Sequence, residues 1–333
     1  MNYAKALLCI LSFNFCLTFG MKQDDSAILS LCINHQGEYV TIGTLGSLDG
    51  KLKTYQAATG QKIGQDCDDI AMQMHYLEGN IKIVTTDNVL TRMSLWDIQE
   101  VKKIRSFEYS NEQIASQCAV DNNNPSSIFS IGVGNSFEWN VNEKNPVTVY
   151  KYPDKKVWAV GAAASSNFYR AAAVQSGGPY DPKNQGIIYL WDTKKNDSPF
   201  QTSQTGNNVA ALTFNADDSY LIGGGEIKSG VSTSYPVLLY DMKNIDNPAR
   251  KLEGHTGRIF YIKADENDPA TVATASLDYT VRQWDLTTGK CVATQEITNK
   301  SSIQVAINFV SHIVAMGSLG SPLEIKSLES QKK

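Results

Sequence analysis

The sequence is sparing with charge and with histidine. Asp, Glu, Lys and Arg make up 19% of its 333 residues, four histidines are spread along it, and the net charge is −4. Nucleic-acid binding needs clustered Lys and Arg to displace counterions, so this composition argues against it. The short basic runs, Lys102-Lys103 with Arg105 and Lys194-Lys195, read as solvated strand or loop ends. The six cysteines, at 9, 16, 32, 67, 118 and 291, form no Cys-x-x-Cys pair, and the histidines do not complete a paired ligand set with them. No zinc site of recognisable spacing exists, and neither a metal nor another cofactor is expected. Cys32, Cys118 and Cys291 fall in apolar strand-like runs, where a thiol acts as a small hydrophobe.

Catalytic signatures are missing as well. There is no Gly-x-Ser-x-Gly elbow, and carboxylates are spread among turn positions. Gly223-Gly-Gly225 is followed by no Gly-Lys-Ser/Thr and opens no helical pattern, while Gly132-Val-Gly134 suits a tight hairpin at a strand end. An enzyme is not expected. The apolar run Ala6 to Phe19 is 14 residues long, short of the roughly 20 that a membrane-spanning helix needs.

What is present is a repeat. Its fullest copy runs from Gly254 to Ile297, with Gly254-His255 at its start, a Ser-x-Asp turn at Ser276 to Asp278, and Trp284-Asp285 closing its third strand. A second copy, Ser47 to Gln61, aligns with Ser276 to Lys290 without a gap, including Asp49-Gly50, a hairpin signal. Looser copies close at Trp96-Asp97, Trp139-Asn140, Trp191-Asp192 and Tyr240-Asp241, and the last decays to Lys326-Ser327. Counted from Tyr55, the intervals are 41, 43, 52, 49, 44 and 42 residues. Each unit holds short runs rich in Val, Ile, Tyr and Thr, broken by Gly, Asn and Asp, with no competing helical period.

The Gly254 to Ile297 copy resembles a WD40 repeat. The resemblance implies an all-β chain, a seven-bladed β-propeller of four-stranded antiparallel blades, in which stacked sheets bury faces that one blade cannot bury alone. In that family a His, an Asp, a Trp and a hydroxyl form a buried hydrogen-bonded tetrad. His255, Asp278 and Trp284 match it here, with Thr274 or Ser276 as the hydroxyl, in a structural role.

Residues 1–20 admit competing readings. Lys5 followed by an apolar run and Thr18-Phe-Gly20 reads as a secretory signal. Family geometry gives Phe15 to Met21 instead to the outer strand of the last blade, leaving residues 1–14 as an apolar N-terminal segment and 15–333 as a single propeller domain. Cleavage after Gly20 would open that edge. Initiation at Met21 is a third reading, and the sequons at Asn196 and Asn299 do not decide. The cytoplasmic and secreted readings follow from this choice.

The two longest intervals are adjacent. Their extra residues, Gln175 to Gly186 and Gly223 to Pro236, both separate a second from a third strand and would rise together beside the channel. Tyr180, Asp181, Lys183, Glu226, Lys228 and Tyr235 are the candidate partner-binding residues there. The first strands, which face the channel, are nearly all apolar or small, with His75 and Lys263 the main exceptions. The expectation is a monomeric propeller within a complex, a scaffold for other proteins, with no nucleic acid and no membrane span. A secreted or envelope-associated binding propeller is the alternative, and a propeller enzyme using the channel comes after it.

Overall fold

The computed structural model describes residues 27–328, apart from 46–49, 78–80, 88–91, 109–116, 122–123, 125, 133, 154–156, 166–167, 177–185, 196–198, 200, 205–207, 230–231, 298–303 and 319–320. Every described element is a β-strand. Blade 1 holds β1 (Ala27–Ile33), β2 (Tyr39–Leu45), β3 (Gly50–Gln56) and β4 (Lys62–Asp68). Blade 2 holds β5 (Gln73–Tyr76), β6 (Lys82–Asp87), β7 (Arg92–Asp97) and β8 (Lys102–Glu108). Blade 3 holds β9 (Gln117–Val120), β10 (Ser127–Ile131), β11 (Asn135–Asn140) and β12 (Thr148–Lys151). Blade 4 holds β13 (Val157–Ala164), β14 (Tyr169–Ser176), β15 (Gly186–Asp192) and β16 (Gln201–Gln204). Blade 5 holds β17 (Asn208–Phe214), β18 (Tyr220–Ser229), β19 (Ser232–Ser234), β20 (Val237–Asp241) and β21 (Arg250–Leu252). Blade 6 holds β22 (Ile259–Ala264), β23 (Thr271–Ser276), β24 (Thr280–Asp285) and β25 (Lys290–Glu296), and blade 7 holds β26 (Gln304–Asn308), β27 (Ile313–Ser318) and β28 (Ser321–Ser327).

Within each blade the strands pair antiparallel in chain order, except that in blade 5 β19 pairs back on β18 and β20 takes the next place in the sheet. The middle strands are buried along nearly their whole length, as β10 and β20 show, while outer strands such as β4 and β25 expose most residues. This gradient follows from the architecture: middle strands are paired on both edges and packed between blades, and outer strands meet water.

The hydrophobic core is correspondingly divided. Seven clusters of buried side chains each span the seam between two successive blades. Phe107, Trp139 and Cys118 fill the seam of blades 2 and 3, and Phe129, Tyr150, Tyr189 and Trp191 that of blades 3 and 4. The last seam closes the ring, with Ile28, Val40 and Ile42 of blade 1 against Ala306 and Ala315 of blade 7. Asn308 Nδ2 donates across it to the carbonyls of Asn34 and His35, both at 2.8 Å.

Blade 7 has three strands among the described residues; residues 1–26, on which the closing strand and the signal segment were placed, lie outside them. Two expectations need correction. The stretch Gly223 to Pro236 is not an open loop: β18 runs through Ser229, and β19 folds back on it in a hairpin, Ile227 opposite Ser234. Gly223, Gly224 and Gly225 are buried inside that strand, and a Cβ on Gly224 would stand 2.5 Å from Ile259 Cγ2 of blade 6. Gly224 lets blade 6 approach, while Gly223 and Gly225 make room for Val209 and Leu238 of their own blade, so the stretch is a buried strand and not a phosphate loop. Finally, Cys291 is exposed on an outer strand, whereas Cys32, Cys67 and Cys118 are buried, and all four thiols are free. Burial pushes the Cys118 thiol up to about 12, far from reactivity.

Candidate functional site

The best-formed polar site lies in blade 6. Trp284 Nε1 donates to Thr274 Oγ1 at 2.9 Å, Thr274 Oγ1 lies 2.7 Å from His255 Nε2, and His255 Nδ1 lies 2.7 Å from Asp278 Oδ2. One proton arrangement satisfies the chain: indole to threonine, threonine to Nε2, and Nδ1–H to carboxylate. Burial lowers the His255 pKa below its ordinary value, despite the opposing Asp278 charge. For Asp278, burial alone would raise the pKa, but hydrogen bonds from Thr280, His255 and the Thr256 N–H hold it below the usual carboxylate range. Ser276 does something else: its Oγ donates to the Gly257 carbonyl at 2.7 Å and accepts the Asp278 N–H at 3.1 Å. Gly257 is there because a Cβ would stand 2.6 Å from the Asp278 nitrogen.

Other blades keep fragments of this device. In blade 2, Asp69 occupies the connection into β5 that corresponds to His255, and its Oδ2 accepts from Trp96 Nε1 at 2.6 Å and from Thr85 Oγ1 at 2.7 Å. In blade 3, Trp139 Nε1 donates to Ser130 Oγ at 2.8 Å. In blade 4 the same position is Ala172, and the buried Trp191 Nε1 has no hydrogen-bond partner. These devices are architectural; none leaves a reactive group exposed.

The connections between second and third strands rise on the face that also carries the Gly254-His255 loop. There the structure places Glu226 on the extended part of β18, opposite Asn208. Its negative charge opposes, without overcoming, the burial that holds Arg258 below its ordinary pKa; Glu226 belongs to blade 5 and Arg258 to the connection that enters blade 6. Arg258 O accepts the Leu277 N–H at 2.9 Å, and Leu277 is 52% exposed at the turn beside it. Tyr235 is half-buried at the base of the hairpin, and Ser232, Thr233 and Ser234 are exposed at its edge. Lys228 lies on β18 opposite Thr233. Tyr180, Asp181 and Lys183 lie outside the described residues. Sequence reasoning missed Arg258 and Leu277, whose only signal was proximity to the Gly-His motif.

On the opposite face, where first and second strands are joined, the central channel widens into a cavity of about 510 Å³. Among the described residues no group of three or more metal-ligating side chains occurs, and no helix is long and apolar enough to cross a membrane.

Seven radial sheets joined by seam clusters, one carrying a complete Trp-Thr-His-Asp chain, define a seven-bladed β-propeller. Residues 246–285 match the family described as WD domain, G-beta repeat. WD repeat-containing protein RUP1 of Arabidopsis thaliana is 24% identical over 156 residues, covering 46% of this chain and 37% of that protein. The E3 ubiquitin-protein ligase COP1 of the same organism is 25% identical over 181 residues, covering 54% and 24% respectively. WD repeat-containing protein 18 of Bos taurus is 32% identical over 105 residues, covering 31% and 24%. The matched segments thus span well under half of these relatives. A chain from "COPII on membranes, outer coat vertex" superposes with a TM-score of 0.76 at 14% identity, covering 92% of this chain and 86% of that one, a likeness of fold. The chain thus carries a WD40 repeat in a seven-bladed propeller fold.

Proposed function

We propose that this propeller is a protein-interaction scaffold that captures its partner on the face carrying the β18–β19 hairpin and the Gly254–Gly257 loop. The hairpin is the observation that carries the reading. It carries β18 past its pairing with β20, and brings Tyr235 to the face that also holds Glu226 and Arg258. Tyr and Arg are enriched at the energetic centres of interfaces, and Leu277 adds exposed apolar surface on the same face. Lys228 on the hairpin, and Tyr180, Asp181 and Lys183 on the neighbouring blade, extend the proposed surface. The COP1, RUP1 and COPII likenesses support a binding role by family analogy, which concerns the fold and not the partner.

The test is affinity capture from the native source, comparing wild type with Tyr235→Ala and Arg258→Ala. A specific co-purifying protein is expected to be lost from both variants while far-UV circular dichroism and melting temperature stay unchanged. Capture of the same proteins by all three chains would sink the reading.

A further inference from the structure

The seam between blades 7 and 1 differs from the other six. The chain passes from each blade to the next in order, so six seams are crossed by a covalent connection, and no part of the described chain crosses this one. Among the described residues it is held by side-chain contact. Ile28, Val40 and Ile42 pack on Ala306 and Ala315, and the β1–β2 turn lies against the β26–β27 turn. Gly37, at φ +73°, lets those turns touch, since a Cβ there would collide with Ser311. Asn308 anchors both: its Nδ2 donates to the carbonyls of Asn34 and His35, and its Oδ1 accepts the Ser311 N–H at 2.9 Å.

His35 reaches further. Its Nδ1 lies 2.9 Å from Oε2 of Glu266, which stands in the β22–β23 connection of blade 6. Blades 1 and 6 are not neighbours, because blade 7 lies between them. Lys263 Nζ sits 2.5 Å from the other carboxylate oxygen, Oε1, and leaves Oε2 to His35. One residue of blade 1 is thus tied to blade 7 through its carbonyl and to blade 6 through its side chain, and blade 7 is bracketed at the channel mouth.

We propose that the His35–Glu266 contact is a strap across blade 7 that restrains this blade from swinging out of the ring. Magnitudes decide what such a strap can do. The His35 side chain is 57% exposed, and a contact in water of this kind changes an equilibrium by at most about fivefold. That is too little to decide whether the propeller folds, and enough to set the population of a local opening. The opening it opposes is the one at the seam of blades 7 and 1, where the described chain has no connection to stretch. Opening there uncovers Ile28 on one side and Ala306 and Ala315 on the other.

The experiment is native-state hydrogen exchange of the full chain, comparing β26 and β27 of blade 7 with β10 and β11 of blade 3. In wild type, β26 and β27 are expected to exchange faster than β10 and β11. His35→Ala is expected to speed exchange in β26 and β27 by about two- to fivefold and to leave β10 and β11 unchanged. His35→Leu, which keeps bulk and lacks a donor, should do the same and serves as the second variant if His35→Ala folds poorly. His35→Asn places an amide nitrogen where Nδ1 stood and should return exchange to the wild-type rate. Slower wild-type exchange in blade 7 than in blade 3, no acceleration by either donor-free variant, equal acceleration in both blades, or no rescue by His35→Asn would overturn the proposal. None of these outcomes touches the scaffold reading, which concerns the opposite face.

Discussion

Trp284 and Thr274 are diagonal neighbours across β23 and β24: Trp284 pairs with Val272, and its indole N–H reaches two residues along to the Thr274 hydroxyl at 2.9 Å. Trp191 and Ala172 hold the same diagonal in blade 4, where Trp191 pairs with Arg170 and its indole finds no partner. Ala172→Ser, copying the Trp139–Ser130 pair of blade 3, is therefore expected to stabilise the chain by about 1 kcal/mol. Chemical denaturation would register this as a higher midpoint at unchanged slope.

A buried ion network ties blade 3 to blade 4. Arg170, 3% exposed, donates to Glu138 at 2.8 and 2.9 Å, to Asp121 at 3.2 Å and to the Ser165 carbonyl at 3.1 Å. Arg170→Met keeps volume but leaves two buried carboxylates facing each other, so a loss of about 3–5 kcal/mol is expected. Adding Glu138→Gln removes one of those charges and should restore part of it, read as a non-additive double-mutant cycle.

Acid should destabilise the propeller early. Burial, with the Lys263 charge behind it, lowers His75 from 6.5 to about 4, and burial also lowers His255. With both pKa values depressed in the folded state, the unfolded chain takes up protons first. Their contribution is complete above pH 6.5 and is lost as pH falls through that value toward about 4. The melting temperature is expected to fall between pH 7 and pH 4.5, and the His75→Phe variant should show a shallower fall.

The outer edge of blade 7 is open to the same kind of test. If Phe15 to Met21 pair with β28, a chain beginning at Ser26 leaves that edge bare and melts lower than the full-length chain. Equal melting temperatures would favour the signal-segment reading, and intact mass of the native protein would then start near residue 21.

Much of the fold was legible because strand chemistry is local. Period-two runs, Asp-Gly and Thr-Gly turns, and a Trp or Tyr every 41 to 52 residues located the blades, and the inner strands β1, β13, β17, β22 and β26 fall where the apolar runs lay. The site was less legible. Thr274 and Ser276 point to the same side of β23, so pattern could not choose between them; the choice rests on which lies one diagonal step from Trp284. Asp69 carried no motif, because a carboxylate in a connection looks like any turn residue until Trp96 and Thr85 close on it.

By itself, then, the sequence determined that this chain is a ring of short antiparallel sheets, since hydrophobic period and turn residues act within a few positions of each other. Only the tertiary structure decided what the ring does with its polar groups. It paired the glycine-rich stretch as a strand between β17 and β20, where Gly224 must be glycine because a Cβ would stand 2.5 Å from Ile259. It brought His35, Asn308 and Glu266 together from three different blades at the channel mouth. Those outcomes depend on contacts between residues dozens of positions apart, and such contacts are fixed by the closing of the ring rather than by any local preference.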